Sequence, residues 1–175
     1  GLGDVYKRQL PMYIDDTASI NVQQIKAKLR RMKNLGLVVI DYLQLMGSTL
    51  KTDNRVLVVS ELTRQLKIMA KELDIPIIVL SQLSRGPEGR NDKRPMLSDL
   101  RESGSIEQDA DMIGLLYRSA YYAEDEEKRQ QMAGRANLHL AKNRNGPTGD
   151  VPLHFEAELM RFSTREADEH DQESE

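Results

Sequence analysis

The sequence predicts an α/β fold with a mostly parallel sheet, flanking helices and a late antiparallel hairpin. Two runs of branched apolar residues, at 37–40 and 77–80, each end in polar residues, which is typical of strands buried in a parallel sheet. An amphipathic helical pattern separates the two runs and gives the rhythm of a β-α-β unit. Near the end of the chain, the turn at 145–149 lies between two further strand patterns and predicts the hairpin.

Length and composition restrict the class of protein. The 175 residues suffice for one domain with a single sizeable core. There is no cysteine, so disulfides and cysteine zinc sites are excluded and the chain is compatible with a reducing cytosol. No apolar run has the length of a membrane span, and we expect no membrane contact and a cytoplasmic protein. The three histidines lack ligand spacing, which leaves carboxylate-bound Mg²⁺ as the metal to consider.

The formal charge of −3 is unevenly distributed. Residues 166–175 contain six acidic residues and no lysine or arginine, and the rest of the chain carries +3. A segment so polar and so poor in apolar residues cannot bury enough surface to fold. We therefore predict that 164–175 is an acidic disordered tail.

The elements follow from the apolar spacing in chain order. A short strand at 12–14 precedes a turn, and a helix then begins at Val22. The strand at 37–40 leads through a polar loop at 47–54 into a second helix, which begins near Val56. After the strand at 77–80, the stretch 84–105 has no periodicity and carries several cations, and a loop of this length is unusual unless it is functional. The last predicted elements are strands at 112–117, 136–142 and 151–155 and a charged helix at 125–132.

Two polar residues follow the buried strands directly. Asp41 ends the first strand, at the carboxyl edge where open α/β sheets bind ligands, and a carboxylate there could hold the Mg²⁺ of a nucleotide. Gln82 follows the second strand and would share that edge, where it could sense a γ-phosphate or orient the attacking water. The alternatives are an aspartate that caps a strand and a solvated glutamine.

A phosphate-binding loop of the form G-x-x-x-x-G-K-[ST] does not occur, because none of the eleven glycines is followed by lysine. The segment 47–52 lacks the second glycine and lies after the strand, so we interpret it as a surface loop.

Two groups of cations are candidates for binding phosphate. Lys142 and Arg144 end a strand before the turn and project on one side, where they could stabilise phosphoryl charge. Arg101 precedes Gly104 and Ser105. Ser105 could cap a short helix whose free N–H groups bind a nucleic-acid phosphate. The alternatives are an ordinary basic hairpin tip and a helix cap beside an Arg–Glu pair.

Together these segments resemble the RecA-like carboxy-terminal motor domain of the DnaB family of bacterial replicative DNA helicases. The resemblance rests on IDDT, LGLVVIDYLQLM, VLSQLSRGPE, DKRPMLSDLRESGSIEQDAD and AKNRNGPTG, in this order and spacing. It implies a RecA-like P-loop NTPase core over 10–163, of which the amino-terminal part, with the Walker A loop and the catalytic glutamate, lies upstream. Residues 1–9 do not fit the family, and we interpret them as a non-native junction.

The resemblance also implies roles in nucleotide chemistry. It makes Asp41 the Walker B acid of the Mg²⁺ site and Gln82 the residue that couples the γ-phosphate to the DNA loops. Lys142 and Arg144 match the family's K-x-R pair, which reaches a neighbouring subunit's ATP. The segments 47–54 and 121–134 carry no family signature.

For DNA, the resemblance matches Arg101, Glu102 and Gly104 to the loop that holds single-stranded phosphates in a central channel. The implied protein is a homohexamer in the primosome that hydrolyses ATP, moves 5′ to 3′ along one strand, and binds primase and a helicase loader. Without the upstream part, the chain alone is expected to be inactive.

Two alternatives remain open at this stage. One is another RecA-like ATPase, of the recombinase or circadian-clock type, which should lack the blocks RESGSIEQDAD and KNRNGPTG together. The other is a non-catalytic α/β module that retains the interface and the DNA loop but binds no nucleotide.

Overall fold

A computed structural model describes residues 11–84, 89–90, 92–100, 104–123 and 125–164. The helices in this part are α1 (Val22–Leu29), α2 (Arg55–Leu73), α3 (Gly104–Asp109) and α4 (Glu126–Gln131). The strands are β1 (Val38–Ile40), β2 (Ile77–Val79), β3 (Met112–Tyr117), β4 (Arg135–Asn143), β5 (Gly149–Glu156) and β6 (Arg161–Thr164). Short 3-10 helices occupy Leu43–Leu45, Leu97–Asp99 and Ser119–Tyr122.

The described strands form two sheets. β1 and β2 pair in parallel, with Val39 opposite Ile78, as the β-α-β pattern predicts. β3, β4, β5 and β6 form an antiparallel sheet in that order. The α/β class and the hairpin of β4 and β5 are therefore confirmed. The sequence did not predict β6, whose four residues are all exposed and show no apolar alternation.

The helices that flank the parallel pair begin at side-chain caps. At α1, Asn21 and Gln24 form a capping box, because each side chain accepts a hydrogen bond from the other residue's backbone N–H, at 2.9 and 3.0 Å. At α2, the Asn54 side chain accepts from Val56 N and Leu57 N. These caps satisfy N–H groups that have no partner within the helix, so they determine where each helix starts.

The main core joins α1 and α2 to one face of the parallel pair. Its most buried side chains are Val22, Leu43 and Met69. Ile40, Ile77 and Val79 pack against this cluster from the strands. The helical apolar periodicity therefore identified the residues that hold the sheet edge in place.

The opposite face of the parallel pair is exposed in the described part of the chain. We predicted strands buried on both faces, but Val39 is 58% exposed and Ile78 is 50% exposed. Side chains alternate between the faces of a strand, and no described element covers the face to which these two residues belong. The expectation of burial on both faces is thus wrong for the described part of the chain.

The predicted strand at 12–14 is also wrong. Residues 11–14 have no regular secondary structure, and Tyr13 and Ile14 are 77% and 85% exposed. A strand requires a neighbour for its backbone hydrogen bonds, and none of the described strands pairs with this segment.

The stretch predicted as a long loop, 84–105, has local structure. Leu83 and Leu100 form an isolated antiparallel bridge, and the 3-10 helix at Leu97–Asp99 lies just before it. Asp99 is only 3% exposed and forms an ion pair with Arg90. At least one of the cations of this stretch, Arg90, is therefore engaged in an ion pair within it.

In the ranges that the structure describes, no helix combines the length and the apolar character needed to cross a bilayer.

Candidate functional site

Asp41 and Gln82 lie at the same edge of the parallel pair. The pairing extends past both strands, because Leu80 N donates to Ile40 O and Leu43 N donates to Leu80 O, each at 2.9 Å. The two chains therefore leave the sheet side by side at its carboxyl edge. Both side chains are exposed there, which is the juxtaposition that the spacing predicted.

Gln44 joins the two loops at this edge. Its side-chain amide donates to Ser81 Oγ at 3.0 Å, and its Oε1 accepts from Gln82 N at 3.3 Å. The amide thus holds the backbone of Gln82 in place relative to the loop that carries Asp41. Gln44 was not among the residues predicted from the sequence, although it is a single polar residue within the apolar run after Asp41 and could have been recognised by that.

A cavity of about 400 Å³ opens beside Gln82. It lies between the 3-10 helix after β1 and the amino-terminal half of α2, and its polar lining comes from Gln44, Arg55 and Gln82. Arg55 is the first residue of α2 and was also missed by the sequence analysis. Arg55 and Gln82 therefore line the same cavity, so a cation lies near the carboxyl edge of the sheet.

The start of the 47–54 loop is fixed by a close backbone contact. Gly47 N donates to Ile20 O at 3.0 Å, and a Cβ at Gly47 would overlap the carbonyl oxygen of Ser19. Glycine is therefore required here by packing. The role of the remaining loop stays open.

Lys142 and Arg144 lie together against the end of α3. The Lys142 Nζ donates to the carbonyl oxygen of Glu107, and Arg144 Nη2 donates to that of Gln108 at 3.3 Å. Carbonyls in the last turn of a helix lack partners within it and attract cations. Both cations thus contact the same end of α3, but β4 ends at Asn143, so Arg144 belongs to the turn and its direction does not follow from the alternation of the strand. In the described part of the chain, no hydrogen bond or ion pair joins them to Asp41 or Gln82.

Asp111 binds the same arginine. Its Oδ1 accepts from Arg144 Nη1 at 3.1 Å, and its Oδ2 accepts from the Lys67 ammonium of α2. The Lys67 hydrogen bond is the largest influence on the pKa of Asp111 and lowers it, burial opposes this, and the charges of Lys67, Arg144 and Lys71 lower the pKa further. The carboxyl is therefore ionised at neutral pH, and sequence reasoning had given it no role.

Of the three residues predicted to bind DNA, the structure describes Gly104. Arg101 and Glu102 lie outside the described residues. Gly104 is exposed and opens α3, with free space where a Cβ would stand. The expectation that Ser105 caps this helix is wrong, because α3 already begins at Gly104 and the buried Ser105 Oγ has no hydrogen-bond partner.

Asp41 is the candidate metal ligand, and its surroundings fit a single-carboxylate role. Its side chain is exposed and has no hydrogen-bond partner among the residues that the structure describes. The same residues contain no group of three or more acidic or histidine side chains that could hold a metal without help. Mg²⁺ in nucleotide sites uses one or two carboxylates together with phosphate oxygens and water, and one free carboxylate at this edge suits that pattern.

Comparison with known proteins adds independent evidence. The chain is 54% identical over 155 residues to the replicative DNA helicase DnaB of Geobacillus stearothermophilus, and the alignment covers 86% of the chain. A solved DnaB-like replicative helicase, described with its interactions with primase, matches 94% of the chain at 42% identity and a TM-score of 0.85, over 41% of its own length. A second solved structure, described as an ATPase domain, matches 84% of the chain and 52% of its own length, at 46% identity and a TM-score of 0.75.

The chain spans about a third of the length of the curated relatives it matches, 33% for the Geobacillus protein. The family model described as DnaB-like helicase C terminal domain matches residues 5–164. That match begins inside 1–9, and the junction proposed there stays a prediction. A family match over most of the chain, with a relative of the same fold, shows that the chain belongs to the DnaB-like helicase C-terminal domain family.

Proposed function

We propose that this chain is part of the motor of an ATP-dependent replicative DNA helicase that unwinds duplex DNA 5′ to 3′ at the replication fork. The observation that carries the proposal is the position of Asp41 and Gln82 side by side at the carboxyl edge of a parallel sheet, in a member of this family. Such edges bind nucleotides in α/β proteins. The related helicases and the related ATPase domain support the use of ATP.

In the proposed nucleotide site, Asp41 holds Mg²⁺ and Gln82 contacts the γ-phosphate. The bound metal would supply charge neutralisation on the phosphate oxygens. Gln44 keeps the Gln82 loop beside Asp41 through its two hydrogen bonds. Lys142 and Arg144 act on the ATP of a neighbouring subunit, and the lack of any described contact between them and Asp41 agrees with that arrangement. Hydrolysis then depends on assembly.

The proposed partners are single-stranded DNA, copies of the chain in a homohexamer, primase and a helicase loader, within the primosome of the cytoplasm. Arg101, Glu102 and Gly104 hold the DNA backbone. The primase proposal is supported by the related helicase that is described with its primase interactions. The absence of cysteine is compatible with a reducing compartment.

ATP hydrolysis tests the proposal. The 175-residue chain should be compared with the same chain extended upstream in its native reading frame to the start of the motor domain, here called the extended protein. We expect turnover, stimulated by single-stranded DNA, only from the extended protein, because the chain contains no phosphate-binding G-K sequence. Turnover by the chain alone would contradict the role of Asp41. An extended protein that neither binds nor hydrolyses ATP would instead indicate a non-catalytic module.

Arg101→Ala in the extended protein should weaken binding to single-stranded DNA of every sequence and reduce the salt slope of log K by about 1, because one phosphate contact is lost. Fluorescence anisotropy at several salt concentrations measures both quantities. Arg161→Ala is the matched control, since Arg161 is an exposed arginine of β6 whose described ion pair is with Glu156. An unchanged slope for the Arg101 variant would remove this residue from the DNA site.

A further inference from the structure

The guanidinium of Arg144 is held at two points by its own subunit. Nη1 donates to Asp111 Oδ1 at 3.1 Å and Nη2 donates to the Gln108 carbonyl at 3.3 Å. The backbone is fixed as well, because Arg144 N donates to Asp111 O at 2.8 Å. Asp111 therefore restrains the arginine through both its main chain and its carboxylate.

Asp111 is itself restrained by α2. The Lys67 ammonium binds its other carboxylate oxygen, so that each oxygen has a separate cation. Lys67 lies in the middle of α2, whose apolar side packs in the main core through neighbouring Leu66 and Met69. The orientation of Arg144 is thus connected, through Asp111 and Lys67, to the helix that contributes the largest share of the main core.

The contacts with Asp111 and Gln108 each use one N–H donor of Arg144. A guanidinium has five N–H donors in a fixed plane, and the two contacts with Asp111 and Gln108 occupy only part of them. The Arg144 side chain is 50% exposed, so a partner outside the chain can reach it. Because the guanidinium is planar, fixing one of its edges determines where the rest of it points.

We propose that Asp111 is a positioning residue for Arg144, fixing the direction in which the guanidinium meets the transferring phosphoryl group of a neighbouring subunit. This inference rests on the proposed function, in which Arg144 acts on a neighbour's ATP. A donor that is oriented before the reaction loses less entropy and needs less reorganisation when negative charge develops. Asp111 touches no nucleotide in this arrangement and acts only through the arginine.

Asp109, the last residue of α3, provides a matched control for Asp111. It is an acidic residue two positions before Asp111, and its Oδ2 accepts from Thr63 Oγ1 of α2 at 2.6 Å. Like Asp111, it joins the end of α3 to α2. Its described contacts include neither Arg144 nor Lys142, so it should share the structural role of Asp111 without the positioning role.

The test measures binding of ADP and of ADP–aluminium fluoride, a mimic of the transferring phosphoryl group, to assembled extended protein. Asp111→Asn should weaken binding of the mimic about 10-fold and leave ADP binding within about twofold, since the arginine meets only the transferring group. Asp111→Glu should restore part of the loss, and Asp109→Asn should change neither constant. kcat of Asp111→Asn should fall without a matching rise in KM.

A second set of variants separates positioning from folding. In an Arg144→Ala background, Asp111→Asn should cause no further loss of affinity for the mimic, because the residue through which it acts is gone. An equal loss in both backgrounds, or no loss in the parent protein, would overturn the positioning role and leave the proposed function intact. If Arg144→Ala alone does not weaken the mimic, then the proposed role of Arg144 is overturned and this inference with it.

Discussion

Arg144→Ala in the extended protein is expected to lower ATP turnover by about 10³-fold or more while ATP binding stays within about twofold. Arginines that act on a transferring phosphoryl group stabilise charge that develops only in the transition state, so their loss lowers kcat rather than affinity. Arg144 is exposed in the turn that follows β4, and its described contacts are with α3 and Asp111 and not with Asp41 or Gln82. This position agrees with the proposed role of Arg144 at the ATP of a neighbouring subunit.

Steady-state turnover and equilibrium binding of a nucleotide analogue measure the two effects separately. Arg161→Ala is a suitable control, because Arg161 is an exposed arginine of the same antiparallel sheet and pairs with Glu156 at 2.6 Å. Surface pairs of this kind contribute little to stability, and we expect that variant to retain turnover. Retained turnover in the assembled Arg144→Ala protein would contradict the assignment. A loss of assembly, checked by mass, would show a different role at the interface.

Features that depend on local sequence were predictable. The apolar runs before Asp41 and Gln82 identified two strands, and the helical periodicity between them required a parallel crossover. Because parallel strands end at the same edge of a sheet, the two strands and their crossover suffice to predict that Asp41 and Gln82 lie at one edge. The hairpin of β4 and β5 likewise followed from the turn residues at 145–149. The α/β class needed no knowledge of distant contacts.

Features that depend on distant partners were not predictable. Asp111 lies 33 residues before Arg144 and 44 after Lys67, and no spacing rule connects positions so far apart. The exposure of Val39 was not predicted for a similar reason. An apolar run shows that a strand is suited to burial, but it does not show which other element covers each face. Gln44 escaped notice because its two partners belong to the loop after another strand.

Arg90→Ala should lower the free energy of unfolding of the extended protein by about 3–5 kcal/mol, because it leaves a buried carboxylate without its cation. Asp99 accepts from Arg90 Nη1 at 3.0 Å, from Arg90 Nη2 at 2.7 Å and from Met96 N at 2.7 Å. Burial by itself would raise the pKa of Asp99, but the Arg90 and Met96 hydrogen bonds outweigh it and hold that pKa below its ordinary value. The ion pair therefore stabilises the segment before Leu100.

Urea unfolding of the parent and the variant at several pH values tests this account. A lowered pKa in the folded state means that the ion pair stabilises the protein above the unfolded pKa of about 3.9 and that this stabilisation is lost as the pH falls through the folded value. In Arg90→Ala, the unpaired carboxyl should take up a proton at higher pH, so the difference between the two proteins should shrink on acidification. Arg129→Ala, which breaks the exposed pair with Glu126, should change stability by less than about 1 kcal/mol. A similarly small effect for Arg90→Ala would mean that Asp99 is rehydrated when its partner is removed.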